Sequence, residues 1–176
     1  GSFLEFSRPP AIRPAPHDIG KVLDQTLEFL RPRFDQSGIG IDFRRGADLP
    51  PGFADTAQLK QVFLNLLANA ADAMPSGGQI RVTLTIETDA DGQQMVVARI
   101  ADTGHGMPPE VQRRIFDPFF TTKETGAGLG LSIAAQVMAR HGGALVLESS
   151  SESGTTFAVW TPIAPAIEPV QRQGDA

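Results

Sequence analysis

The chain has 176 residues, of which 41% are hydrophobic, and it contains no cysteine. This length suits one domain with its own core, and the lack of cysteine excludes disulfides and thiolate metal sites. The formal net charge is -5 and no cluster of Lys and Arg occurs. A nucleic-acid partner is disfavoured, because binding to a phosphate backbone needs a basic face.

The first part of the chain predicts a linker, a helix and a strand. Residues 3–10 (FLEFSRPP) look like the last turn of a helix stopped by two prolines, and the Pro-rich residues 11–17 read as an extended linker. Asp18 is expected to cap a helix that runs to about Arg33, since apolar residues follow at helical spacing. GIGIDFRR (38–45) alternates like a strand.

The rest of the chain alternates between helices and sequential strands. Asp55 is expected to cap a long helix that ends before Pro75. Later elements are expected as follows: strands near Gln79–Glu87 and Met95–Ala101, a short helix around Pro109–Phe116, a helix from Leu129 to His141, and strands at 144–149 and 155–162. Residues 163–176 show no pattern and are expected to be disordered. This order predicts an α+β sandwich with one sheet and one helical layer.

The long helix after Asp55 carries a narrow polar stripe on a mostly apolar surface. At 100° per residue, four side chains with amide or carboxylate oxygens fall within about 40° of Asn65: Gln58, Gln61, Asn69 and Asp72. Oxygen-bearing side chains one turn apart can point at a single hard cation such as Mg²⁺. On this stripe alone, bonds to a neighbouring loop or exposure to water are equally good explanations.

Two glycine-containing segments are compatible with a nucleotide ligand. In DTGHGM, Asp102 directly follows an apolar strand and can accept a hydrogen bond from an exocyclic amine such as adenine N6, while Gly104 and Gly106 allow a ligand to approach the backbone. GAGLGLSIA (126–134) leads into a helix whose N-terminal amides can bind an anion, although it matches neither a P-loop nor a Rossmann fingerprint. Alone, these segments could equally be an ordinary turn and a flexible hinge.

A third segment, FDPFFTTK (116–123), lies between the two glycine segments. Its aromatic residues can anchor one end of a mobile lid. Lys123, together with Thr121 or Thr122, can then meet phosphate oxygens.

In this order and spacing, the asparagine helix, DxGxG, FxPF and GxGLGL resemble the N, G1, F and G2 boxes of the catalytic, ATP-binding domain of sensor histidine kinases. The resemblance covers about Asp18 to Pro162 and is strongest to the nitrogen-regulation-like subgroup. It implies the Bergerat fold shared with gyrase, Hsp90 and MutL: an α+β sandwich with one mixed, mostly antiparallel sheet against about three helices. Residues 1–10 would then be the end of the dimerisation and phosphoacceptor helix, followed by the linker 11–17, the catalytic domain 18–162 and the tail 163–176.

The resemblance also assigns roles to individual residues. Asn69 would be the main Mg²⁺ ligand, with Asn65 as its helper, and Asp102 would bind the adenine amine. Thr155 matches a position where relatives place a hydroxyl near adenine. The other residues expected to contact the nucleotide are Asp72, Gly104, Gly106, Met107, Phe119, Phe120, Thr121, Thr122, Lys123, Gly126, Gly128, Leu129, Gly130 and Leu131.

The sequence departs from the family pattern at Asp72, where many histidine kinases carry a Lys that touches phosphate. Lys123, or an arginine such as Arg113 or Arg114, is expected to supply this charge. ATP-hydrolysing relatives have a water-activating Glu at the position of Asn65, which cannot act as a base. We therefore expect a kinase with Asn65 and Lys123 as its catalytic residues. In such a kinase a histidine attacks the γ-phosphate in line, and positioning and charge neutralisation provide most of the catalysis.

None of the three histidines, His17, His105 and His141, lies in a His-Glu-x-x-x-Pro-like helix start, the acceptor context of the family. The chain is therefore expected to bind ATP or ADP with Mg²⁺ and to autophosphorylate poorly by itself. The implied partners are a phosphoacceptor hairpin of the same or a dimer-partner chain and the receiver domain of a response regulator. The implied location is cytoplasmic, either free or as part of a membrane-bound sensor, and the isolated chain is expected to be a monomer.

Two other functions stay open. A gyrase- or MutL-like ATP-hydrolysing module should carry the upstream Glu and a much longer lid, and this sequence shows neither. A non-catalytic domain that binds nucleotide only to regulate a partner would keep the same motifs, so the sequence does not separate it from a kinase.

Overall fold

The computed structural model describes residues 11–122 and 130–166. Its helices are α1 (Ile19–Ser37), α2 (Thr56–Asp72), α3 (Pro109–Gln112) and α4 (Gly130–Arg140). Its strands are β1 (Ala15–His17), β2 (Ile39–Arg45), β3 (Gly52–Ala54), β4 (Gly78–Thr88), β5 (Gln94–Asp102), β6 (Ala144–Ser151) and β7 (Gly154–Pro162). Among the helices of the described residues, none is long and apolar enough to cross a membrane.

The main sheet has five strands in the order β2-β4-β5-β7-β6. Only the β2–β4 pair is parallel, and the other three pairs are antiparallel. In the helical layer, α2 contacts both α1 and α4, and the core lies between this layer and the sheet. Its largest fully buried side chains include Phe34, Phe63, Leu66, Ile80, Leu84, Ile100 and Met138. The predicted α+β class and the mixed, mostly antiparallel sheet are confirmed.

Both long helices begin at the aspartates that the sequence marks as caps. The side chain of Asp18 accepts a hydrogen bond from the backbone N–H of Lys21 at 3.2 Å, and that of Asp55 accepts one from Gln58 at 3.4 Å. Each bond satisfies an N–H group that has no partner inside the helix. The predicted starts of α1 and α2 are therefore confirmed.

Helix α1 is one turn longer than predicted. It continues past Arg33 to Ser37 and buries Phe34, and Gly38 then ends it in the left-handed conformation with φ +68°. Such a glycine is a common helix end. The predicted end near Arg33 was wrong because burial of Phe34 and the Gly38 cap favour another turn.

Two segments predicted to be irregular form a small second sheet. Residues 15–17 of the expected linker pair antiparallel with residues 52–54 of the expected loop. At the other end of the chain, Ile163 bridges Gly52, and the N–H of Ala164 donates to the carbonyl of Pro51 at 2.9 Å. The start of the tail at 163 is thus corrected to a position after Ala164. The reason is that main-chain bonding to a distant partner leaves no sequence pattern.

The short helix is also corrected, because α3 ends at Gln112 rather than near Phe116 and only turns follow. Helix α4 starts at Gly130 and ends at Arg140. The predicted start of that helix at Leu129 lies outside the described residues, and so do the predicted hairpin end at 1–10 and most of the tail.

Candidate functional site

A cavity of about 610 Å³ opens between α2, the end of β5 with its following loop, and the start of α4. It is lined by Asn69, Ala70, Asp72, Ala73, Asp102, His105, Gly106, Met107, Val111, Ile115, Phe120, Thr121, Thr122, Gly130, Leu131, Thr155 and Phe157. Most of the described residues expected to contact a nucleotide are in this lining. The folded chain therefore brings the asparagine helix and the DTGHGM segment to one concave site.

Asp102 is the last residue of β5 and lies on the cavity wall. Its Oδ1 atom accepts hydrogen bonds from the backbone N–H groups of Gly104, at 2.8 Å, and Thr155, at 3.2 Å. Burial raises the pKa of Asp102 above its ordinary value, and these two bonds partly oppose that rise. No hydrogen bond to Oδ2 is formed within the described parts of the chain. Oδ2 can therefore accept a bond from a ligand amine.

The loop after Asp102 is shaped by its two glycines. Gly106 has φ +70°, and a Cβ there would overlap the backbone carbonyl of Ser151. At Gly104 a Cβ would come within 2.7 Å of Ala73. The N–H of His105 donates to the carbonyl of Ala73 at 3.2 Å, which fixes the loop against the end of α2. Side chains at the glycine positions would displace the loop from the cavity.

Two polar side chains that the sequence did not single out hold the same loop from the other side. Ser150 accepts a hydrogen bond from the N–H of Met107 at 2.9 Å, and its Oγ lies 2.8 Å from Oγ1 of the buried Thr155. Gln112 donates to the carbonyl of Met107 at 2.8 Å and to that of Ser150 at 3.2 Å. A serine in the run SSSES and a glutamine on a short helix carry no motif, so the sequence offers no signal for either.

The two asparagines of α2 take different positions. Asn69 lines the cavity, whereas the side-chain N–H of Asn65 donates to the carbonyl of Gly130 at 3.1 Å. Asn65 thus bonds to the first residue of α4, and its role as a helper ligand for Mg²⁺ stays a prediction. Among the described residues, no group of three or more His, Asp or Glu could hold a metal. Carboxamide oxygens with few carboxylates suit Mg²⁺, which takes its remaining ligands from phosphates and water.

Asp72 lines the cavity and also pairs with Arg33 of α1. The Arg33 Nη2 atom lies 2.6 Å from Asp72 Oδ1, and both side chains are partly exposed. Arg33 carries no sequence signal for this contact, because no sequence pattern reveals which residue of α1 faces the end of α2.

The described arginines that were expected to supply positive charge do not line this cavity. Arg113 lines a separate groove with Phe116 and Val146, on the side of β6. The Arg114 guanidinium lies 4.6 Å from the ring centre of Phe120, and its Nε lies 3.7 Å from Asp117. Neither arginine is in the lining of the cavity. The expectation that one of them supplies positive charge there is therefore corrected.

The segment after α3 contributes only part of what was expected. Phe120, Thr121 and Thr122 line the cavity, but Phe119 is 75% exposed with φ +66° and does not. The expected contact of Phe119 is corrected, because its side chain is exposed to solvent instead of lining the cavity. The predicted residues Lys123, Gly126, Gly128 and Leu129 lie outside the described residues.

Comparisons with known proteins agree with this geometry. Residues 54–165 match the model of the family described as histidine kinase-, DNA gyrase B-, and HSP90-like ATPase. Sporulation kinase E of Bacillus subtilis (strain 168) is 34% identical over 173 residues, which are 98% of this chain and 23% of that protein.

Two solved structures are also similar. The crystal structure of full-length ShkA in complex with AMPPNP gives a TM-score of 0.78 at 32% identity, over 94% of this chain and 34% of that one. The histidine kinase ThkA in complex with the response regulator protein TrrA gives 0.74 at 26% identity, over 92% of this chain and 45% of that one. This chain spans less than half the length of each of these three relatives.

The family match covers more than half of the chain, and it includes α2, the loop after Asp102 and α4, which together form the cavity. The fold is that of histidine kinase catalytic domains. This chain belongs to the histidine kinase-, DNA gyrase B-, and HSP90-like ATPase family.

Proposed function

We propose that this chain is the catalytic, ATP-binding domain of a sensor histidine kinase. It binds Mg-ATP and transfers the γ-phosphoryl group to a histidine on a separate hairpin. The observation that carries the proposal is the single cavity lined by Asn69 of α2, Asp102 of β5 and Gly130 of α4. The AMPPNP complex of ShkA, which is similar over 94% of this chain, supports it.

The adenine end of the nucleotide is assigned to Asp102. Its half-buried carboxylate keeps Oδ2 available as an acceptor for the exocyclic amine, while the backbone bonds from Gly104 and Thr155 hold the group in place. Apolar neighbours such as Ile115 and Phe157 line the same cavity and suit a flat ring. An acceptor fixed in an apolar wall favours adenine over guanine, which presents a carbonyl oxygen at the equivalent position.

The phosphate end is assigned to Asn69 and the start of α4. Asn69 supplies a carboxamide oxygen to the metal, with Asn65 one turn earlier as its helper. The free N–H groups at the first turn of α4 attract anions, and Asn65 holds that turn by its bond to Gly130. When bound, Mg²⁺ neutralises charge that develops on the γ-phosphate.

The polar groups around the cavity favour phosphoryl transfer over hydrolysis. Asn65 carries no proton-accepting group where hydrolysing relatives have Glu. Asp102, which is bound to backbone N–H groups, is assigned to the adenine end and not to the γ-phosphate. A site without a glutamate at the position of Asn65 leaves the phosphoryl group to an incoming histidine.

The acceptor histidine is placed on a hairpin that belongs to the same or a dimer-partner chain. His141 is buried and bonded on both ring nitrogens, so it does not suit attack on ATP. In this proposal residues 1–10 end the hairpin, the residues before β1 link it to a catalytic domain that extends to Ala164, and the chain by itself is monomeric. The phosphoryl group then passes to a response regulator in the cytoplasm, as the complex of ThkA with TrrA suggests by analogy.

Calorimetric titration of the chain with AMPPNP, with and without Mg²⁺, tests nucleotide binding. The expected result is affinity at least about tenfold higher with Mg²⁺, which is about 1.4 kcal/mol. Asn69→Ala should remove that gain. Gln61→Ala should not, because Gln61 is an exposed amide on the same face of the same helix. Failure of the unaltered chain to bind AMPPNP would refute the proposal.

A second experiment separates a kinase from a hydrolase. The chain is mixed with labelled ATP and a purified phosphoacceptor hairpin, and phosphohistidine and free phosphate are measured together. Phosphohistidine on the hairpin with little free phosphate is expected. Rapid release of phosphate without phosphohistidine would identify a hydrolysing module instead.

A further inference from the structure

The described wall of the cavity carries two acidic side chains, Asp72 and Asp102, and no Lys or Arg. A nucleoside triphosphate adds several negative charges to this wall. Like charges within a few ångströms repel strongly in a partly desolvated site, so a cation close to Asp72 favours binding of the polyphosphate.

Arg33 is a described cation that pairs with an acidic residue of this wall. Its guanidinium Nη2 lies 2.6 Å from Oδ1 of Asp72, which puts the group at the rim of the cavity. Asp72 follows Asn69 by three residues on the same polar face of α2. The carboxylate that Arg33 contacts therefore lies about one helical turn from the assigned metal ligand. With its side chain 45% exposed, Arg33 is free to swing from the carboxylate to a neighbouring anion.

The other arginines near the site are engaged elsewhere. Arg113 lies in the groove beside β6, and Arg114 lies over Phe120. Arg31, on the same helix as Arg33, pairs with Glu28 at 3.1 Å on an exposed face. Arg33 is thus singled out by its ion pair with an acidic residue of the cavity wall.

We propose that Arg33 is a binding residue for the polyphosphate of the nucleotide, a role that rests on the proposed function. In this structure Asp72 holds the guanidinium at the rim. In the complex the phosphate oxygens take over its N–H donors, because a guanidinium pairs with phosphate in the same forked geometry as with carboxylate. Arg33 then supplies from α1 the charge that many relatives place at the position of Asp72.

This role makes the contribution of Arg33 depend on the number of phosphates. Adenosine, ADP and AMPPNP share the adenine contact with Asp102 and differ in the charge that reaches the rim. The test is calorimetric titration of the 176-residue chain with each ligand, for the unaltered protein, Arg33→Ala and Arg31→Ala. Circular dichroism checks that every variant is folded.

The expected result is that Arg33→Ala weakens AMPPNP at least tenfold and adenosine less than twofold, with ADP between them. Arg31→Ala removes the same charge from the same helix and should change none of the three by more than twofold. Equal AMPPNP affinity for Arg33→Ala and the unaltered chain overturns the inference and leaves the proposed function intact. Failure of the unaltered chain to bind any of the three ligands overturns the proposed function itself.

Asp72→Asn separates a direct phosphate contact from mere neutralisation of Asp72. If Arg33 contacts phosphate, Arg33→Ala still weakens AMPPNP at least fivefold when it is added to Asp72→Asn. If the double variant binds AMPPNP as well as Asp72→Asn alone, Arg33 acts only by masking the carboxylate, and the proposed contact is wrong.

Discussion

The side-chain N–H of Asn65 donates a hydrogen bond to the backbone carbonyl of Gly130, at 3.1 Å. This bond joins the middle of α2 to the first residue of α4, the helix whose start is assigned to the phosphates. One asparagine of the pair therefore positions the helix start, while Asn69, one turn later, lines the cavity.

Replacing Asn65 and replacing Asn69 should therefore change the Mg²⁺ dependence of AMPPNP affinity in different ways. Asn65→Ala loses the bond to Gly130, and a hydrogen bond of this kind contributes about 0.5–1.5 kcal/mol, or roughly 2- to 13-fold. Its AMPPNP affinity should fall in this range both with and without Mg²⁺, whereas Asn69→Ala should lose affinity only with Mg²⁺. A loss for Asn65→Ala confined to titrations with Mg²⁺ would show that Asn65 acts as a metal ligand alone.

Asp102→Asn should weaken the nucleotide and leave the folded chain intact. The asparagine oxygen can still accept the two backbone bonds that Oδ1 takes now, but its NH₂ group would face the donor amine of adenine. Loss of the acceptor and of its charge is expected to lower AMPPNP affinity by at least about tenfold. Similar affinity for the variant and the unaltered chain, measured by calorimetry, would remove Asp102 from the adenine site.

The same variant tests the raised pKa of Asp102, which burial causes. The unfolded chain has an ordinary aspartate with a pKa of about 3.9. Because the folded pKa is higher, the folded chain binds the proton more readily, and the charged carboxylate lowers stability at neutral pH. The free energy of unfolding of Asp102→Asn should exceed that of the unaltered chain at pH 7, and this difference should shrink as pH falls towards the unfolded value. Urea unfolding across this range measures it, and a difference that grows towards acid would contradict the sign.

Local sequence signals predicted the framework of this site. Asp18 and Asp55 mark the helix starts because capping depends on a side chain and the next few backbone N–H groups. The polar face with Asn65 and Asn69 follows from helical periodicity alone, and it does face the cavity and α4. The resemblance to known kinases then predicted that these separate motifs contact the same nucleotide.

Contacts between segments far apart in sequence could not be predicted in this way. The pairing of Ala15 with Ala54 joins two segments that read as linker and loop. The ion pair of Arg33 with Asp72 depends on which faces of α1 and α2 meet. Ser150 is placed by strand β6, whose register is irregular between Leu147 and Ser149. Each of these contacts depends on how distant segments pack together, and the local pattern of residues in one segment does not encode that packing.

Gly106→Ala should destabilise the chain more than the same change at another left-handed glycine. Gly92 has φ +82° and nothing within 4 Å of an added Cβ, so its replacement costs about 1 kcal/mol from the backbone conformation alone. At Gly106, with φ +70°, the added Cβ also overlaps the carbonyl of Ser151. This overlap adds about 1–3 kcal/mol, as overpacking does elsewhere.

Urea unfolding of the two glycine variants measures this difference in the free energy of unfolding. Gly106→Ala should also weaken AMPPNP, because the displaced loop carries part of the cavity wall, whereas Gly92→Ala should not. Equal stability of the two variants would mean that the loop accommodates a side chain and that the contact with Ser151 does not constrain it.

His141 links the end of α4 to the start of α2 through both of its ring nitrogens. Nε2 accepts the backbone N–H of Asp55 at 3.0 Å, so Nδ1, which is 2.7 Å from the carbonyl of Val137, carries the proton. His141→Phe keeps an aromatic ring in this buried position but leaves the N–H of Asp55 without its acceptor. An unsatisfied buried donor costs about 1–3 kcal/mol, and urea unfolding should show a loss of this size. His17→Phe is the matched control, because His17 is exposed on β1 and surface changes stay within about 0.5 kcal/mol. If both variants unfold at the same urea concentration, the bond to Asp55 adds nothing to the stability of the site.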